Sequence, residues 1–119
     1  MTGAGRIAAA AALLAVAVGP APAGETFRRL SGSEIRARLV GKEVTDEVHW
    51  AYSFERGGGL RVVSLGRARA ARWRLDGDGL CLDGQPCVEV WMSGNRVEFR
   101  RGEGTLPEEG VLQAPASRR

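Results

Sequence analysis

From Val48 to Phe99 apolar residues alternate with others in short stretches separated by Gly-rich turns, the period of a strand with one face on a core and the other in water. Trp50, Tyr52 and Phe54 share one face, with His49, Ala51, Ser53 and Glu55 opposite. Gly57-Gly58-Gly59 supplies the positive φ of a tight reversal, and 60–65 predicts the return strand. A second aromatic strand reaches Trp73 and Leu75, turns at Asp76-Gly77-Asp78-Gly79 and returns through Leu80 and Leu82. A third carries Val88, Val90 and Met92, turns at Ser93-Gly94-Asn95 and returns through Val97 and Phe99. The unit recurs from Trp50, Trp73 and Trp91, at spacings of 23 and 18 residues. Such uneven spacing fits an antiparallel meander better than a true repeat.

Ahead of the strands the period changes. Ser31 precedes Glu34 by three residues, the capping-box spacing, and Ile35, Leu39 and Val40 form an apolar stripe that Gly41 ends. One short helix is expected over 33–40, followed by about six strands. The fold class is mainly β: an antiparallel meander forming a small barrel or strongly bent sheet, with one short N-terminal helix. Its expected core is Trp50, Tyr52, Phe54, Trp73, Leu75, Leu82, Val90 and Phe99. Arg67 and Arg69 share parity with Trp73, so an unbroken strand would aim them inward, and a turn or bulge is expected over 66–70. After Gly102 the alternation stops. Pro107 and Pro115 suggest a loose tail over 105–119, in which Val111 and Leu112 are the residues able to dock on the sheet.

The first 23 residues change the setting. Arg6, an apolar run over 7–18 and Ala21-Pro22-Ala23 have the form of a cleavable signal peptide. The run is shorter than the roughly 20 residues a bilayer span requires. A single domain over 24–104, periplasmic or secreted and without a membrane span after cleavage, is therefore expected. Of 17 basic residues only Arg6 lies in this leader, and the remaining slight positive charge is mixed with acid. That balance argues against a nucleic-acid partner, which calls for a concentrated basic stripe.

In an oxidising compartment Cys81 and Cys87, flanking a five-residue loop, are expected to form a disulfide across a hairpin. Catalytic dithiols take a Cys-x-x-Cys spacing at a helix start, which is absent. Asp76-Gly77-Asp78-Gly79 opens like a calcium loop but lacks its later ligands, and no His/Cys cluster has zinc spacing, so neither metal nor cofactor is expected. His49, the only histidine, lies beside Asp46 and Glu47 at a strand start. Arg67, Arg69, Arg72 and Arg74 form the densest basic cluster. Strand alternation puts Arg72 and Arg74 on one face and Trp73 on the other, which is not an arrangement for base stacking; the cluster is expected to be a solvated face, with an anionic partner such as envelope polysaccharide or phospholipid headgroups as the alternative.

The run Trp73-Arg74-Leu75-Asp76-Gly77-Asp78-Gly79-Leu80-Cys81, followed by Cys87, resembles small exported bacterial proteins classed as domains of unknown function. The likeness spans residues 31–101 and implies a periplasmic, β-rich, disulfide-bearing domain, with no catalytic residues to carry over. The expected role is a non-catalytic binding module for an envelope component or another protein, with Arg72, Arg74, Trp91 and His49 as binding candidates. Two rivals are a hydrolase of envelope material using Asp46, Glu47 and Asp78 with His49, and a purely structural envelope protein.

Overall fold

The computed structural model describes residues 26–116, and the leader expected over 1–23 lies outside them. A short strand β1 (Arg28–Arg29) is followed by helix α1 (Gly32–Leu39) and by β2 (Glu43–Thr45), β3 (Trp50–Phe54), β4 (Gly59–Ser64), β5 (Arg67–Asp76) and β6 (Gly79–Leu82). The chain then forms β7 (Glu89–Ser93), β8 (Arg96–Arg100) and β9 (Glu108–Gln113). The nine strands pair antiparallel in the order β1-β7-β8-β9-β2-β3-β4-β5-β6 and curl into a half-barrel. A bridge between Leu80 and Val88 draws the β6 edge back towards β7.

Cross-strand partners share a face, so the register defines the concave side. Val44, Tyr52 and Leu112 line up there, as do Val62 opposite Tyr52, Val90 opposite Phe99 and Met92 opposite Val97. Of the expected core, Phe54, Trp73, Leu82, Val90 and Phe99 are buried, while Trp50, Tyr52 and Leu75 are half-buried against it. Trp73 packs edge-on to Phe54 at 6.1 Å and donates its indole N–H to the Glu55 carbonyl at 2.9 Å.

Helix α1 begins one residue earlier than expected. The capping box is present: Ser31 Oγ accepts from the Glu34 amide at 3.2 Å and Glu34 Oε1 accepts from the Ser31 amide at 2.8 Å. Ile35 and Leu39 enter the core, and Leu30 just ahead of the helix joins them. Asp78, from the β5–β6 turn, accepts from the Gly32 amide at 2.8 Å. Arg38 reaches the Gly94 carbonyl in the β7–β8 turn at 3.5 Å. The helix therefore lies across the end of the sheet that carries these turns, leaving the opposite end uncovered.

Three expectations change. The described residues make nine strands rather than about six, because β1 and β2 are too short to show a period. The segment expected as a loose tail contains β9, seated between β8 and β2. Its charge hid it: Glu109 pairs with Arg96 at 3.8 Å and Glu108 with Arg101 at 3.4 Å, while Gly110 lets the Trp50 ring close over the strand. A Cβ on Gly110 would stand 2.8 Å from the Thr45 carbonyl oxygen and 3.0 Å from the Trp50 ring. Finally, no bulge interrupts 66–70. Leu65 and Gly66, both at positive φ (52° and 81°), make the turn, and β5 then runs unbroken from Arg67. Arg67 and Arg69 keep the parity of Trp73 yet stay in water, because they lie towards the end without a helix.

Candidate functional site

His49 stands in the loop joining β2 to β3. Asp46 Oδ1 accepts from the amides of Val48, His49 and Trp50 at 3.0, 2.7 and 3.0 Å, and Oδ2 lies 3.0 Å from the imidazole Nδ1. Desolvation raises the proton affinity of this carboxyl, but the three amides and the ring outweigh it and hold Asp46 well below the usual carboxylate range. Glu47, at φ 71°, completes the turn, its amide donating to Thr45 Oγ1 at 2.7 Å. The arrangement is an Asx-type turn with His49 as its outer brace. A carboxylate held ionised in this way has no proton to donate at neutral pH and is a weak base. Asp78, the third carboxylate of the hydrolase reading, is at the other end of the sheet and caps helix α1.

Trp91 lies on the convex face of β7. The Arg100 guanidinium sits 3.9 Å from its ring centroid, and its N–H donates to Glu89 at 2.9 Å. Glu89 also pairs with Arg29 at 3.5 Å, and Arg100 pairs with Glu98 at 2.8 Å. One ring face is thus occupied by the protein's own cation, within a lattice where positive and negative groups balance.

Cys81 and Cys87 form the expected disulfide, with a Cα–Cα distance of 4.0 Å. Cys81 is buried and Cys87 exposed, and the adjoining loop turns at Asp83 and Gly84, both at positive φ. Asp83 donates its amide to the Arg72 carbonyl at 2.8 Å and its carboxylate accepts from Arg69 at 2.8 Å. The disulfide closes the 82–86 loop, and the Asp83 contacts hold the β6 end against β5.

On β5 the alternation separates roles cleanly. Trp73 is buried, and Arg72 and Arg74 point outward. The register places Arg72 opposite Gly59 and Ala70 opposite Arg61, so Arg61, Arg72 and Arg74 share the convex face of this hairpin. Between them lie the small residues Gly59, Ala68 and Ala70, which floor a depression of about 550 Å³ that also borders Glu55. Arg72 donates to the Gly57 carbonyl at 3.4 Å. Arg69 also borders the depression, although its parity is that of the opposite face. Arg61 was not among the residues the sequence singled out; its signal was its place between Leu60 and Val62, which turns it to the convex face.

The concave side of the uncovered end is charged as well. Burial first, and then the Glu108 carboxylate, push the Tyr52 phenol above its usual value, against Arg101 and Arg69.

The four residues singled out from sequence are not brought together: Arg72 and Arg74 are neighbours on β5, Trp91 is on β7 and His49 in the β2–β3 loop. Among the described residues there is no group of three or more His, Cys, Asp and Glu able to hold a metal, and no helix long and apolar enough to cross a membrane. No protein-family model, curated protein or solved structure matches the chain.

Proposed function

We propose that this protein is an exported, non-catalytic binding module that holds an anionic partner on the arginine-rich convex face of β4 and β5. The observation that carries the reading is an imbalance of charge. Five arginines elsewhere have acidic partners, Arg28 with Glu34, Arg29 with Glu89, Arg96 with Glu109, Arg100 with Glu98 and Arg101 with Glu108, while Arg36 lies over the Trp73 ring and Arg38 donates to the Gly94 carbonyl. On the convex face of the β4–β5 hairpin Arg61, Arg72 and Arg74 gather, and among the described residues no carboxylate pairs with Arg61 or Arg74. Guanidinium groups fixed along strands, with space between them, suit multidentate binding of carboxylate or phosphate oxygens. The Cys81–Cys87 disulfide and the leader-like first 23 residues support a periplasmic or secreted setting.

Inorganic polyphosphate, which carries charge without base or side-chain recognition, is the simplest probe. Fluorescence anisotropy should show binding that weakens as salt rises, because released counterions favour dissociation at high ionic strength. The double variant Arg61→Glu with Arg74→Glu should lower affinity by about tenfold or more, since it removes two cations and adds two repulsive groups. Equal binding by this variant and the parent would remove the reading.

A further inference from the structure

The backbone along the same hairpin offers more than charge. On β5 the amides alternate between its two neighbours. The Trp73 amide donates to the Gly58 carbonyl of the β4 side at 3.0 Å, whereas the Arg72 carbonyl accepts from Asp83 on the β6 side at 2.8 Å. The β4 register runs from Arg72 to Arg67, but the β6 register covers only Trp73 to Asp76. Beyond Arg72 the side away from β4 therefore has no strand, and the N–H and C=O groups of Ala68 and Ala70 face it. Both alanines are exposed, as are Arg67 and Arg69 beside them.

The geometry points to this edge as a docking site for an acidic, extended polypeptide segment of a partner protein, which would add a strand beside Arg67–Ala71. This rests on the anionic-partner reading and names the partner's chemistry. Three observations select the occupant. An open strand edge is a template for main-chain pairing. The side chains on it are arginines alternating with alanines, so an incoming strand with alternating acids meets opposite charges and is not obstructed at Ala68 and Ala70. One acid already sits at this edge: Asp83, where β6 ends, pairs with Arg69 at 2.8 Å. A second copy of the chain is disfavoured by the same residues. Antiparallel self-pairing that matches Ala68 with Ala70 sets Arg69 opposite Arg69, and like charges directly opposite destabilise a sheet.

The test uses the hexapeptide acetyl-Glu-Val-Glu-Val-Glu-Thr-amide with the full chain. Isotope-resolved amide exchange should show new protection at Ala68 and Ala70 when the peptide is added, and its Lys-for-Glu counterpart should give none. Ala70→Pro removes an outward N–H without touching the β4 ladder. It should weaken the hexapeptide by about tenfold while the variant keeps the parent's circular dichroism and a cooperative melt. Asp83→Asn, which frees Arg69, should tighten the peptide severalfold. Binding of polyphosphate without peptide-dependent protection at Ala68 and Ala70 overturns the strand-docking proposal and leaves the anion-binding reading standing. So does exclusive binding to phosphatidylglycerol vesicles. Failure of both probes overturns both. Protection that appears without peptide and vanishes on dilution assigns the edge to self-association and also overturns the proposal.

Discussion

One oxygen of Asp46 accepts from three backbone amides, so a single carboxylate fixes the whole β2–β3 loop. Its folded proton affinity is lowered, which sets the sign of a pH effect: the contribution is fully present above the ordinary carboxylate value near 4 and is lost as pH falls towards the lower folded value. Thermal melts should therefore show acid destabilisation that is reduced in Asp46→Asn, the variant itself being less stable at neutral pH. Identical acid profiles would contradict this account of the loop. Trp73 is the opposite case, a large buried ring whose N–H finds the Glu55 carbonyl and whose edge meets Phe54. Trp73→Ala should cost on the order of 3–5 kcal/mol in denaturant unfolding, a large share of the stability of so small a domain. Little change would mean that the indole is not part of the core.

At the scale of elements, alternation made β3, β4, β7 and β8 legible, and Ser31 with Glu34 marked the helix start, because each is a local pattern. β9 was not legible. Of its six residues Glu108, Glu109 and Gln113 are polar and Gly110 has no side chain, so no period-two signal survives. Its place depends on partners far away in sequence: Val44 opposite Leu112 and Phe99 opposite Glu108. Because β9 joins β8 to β2, truncation after Arg101 should abolish the cooperative unfolding transition, not merely shorten a tail. A truncated chain that still melts cooperatively would restore the loose-tail reading. The disulfide acts at the same scale. In the chain-entropy treatment a loop this short stabilises by about 2.4 kcal/mol. The double change of Cys81 and Cys87 to Ser should lower the melting temperature while the convex face of β4 still binds polyphosphate. Loss of binding with unchanged stability would instead give the cysteines a chemical role.

At the scale of the whole molecule, one end of the half-barrel is covered by α1 and the other is not. That asymmetry explains why inward parity at Arg67 and Arg69 does not mean burial, and why, of the turn or bulge that the sequence called for over 66–70, only the turn at Leu65 and Gly66 is present. The candidate surface was partly legible: the run from Arg67 to Arg74 is visible as a cluster, and Trp73 marks which parity is internal. What the run could not show was the contribution of Arg61, which arrives only through the pairing of Arg61 with Ala70, or the ion pairing that balances the arginines elsewhere. The most direct measurement is residue-resolved amide shift mapping during titration with polyphosphate. The account predicts changes centred on Gly59, Arg61, Ala68, Ala70, Arg72 and Arg74, with Trp91 and His49 unaffected. Changes centred on Trp91 or His49, or spread evenly over the surface, would contradict it.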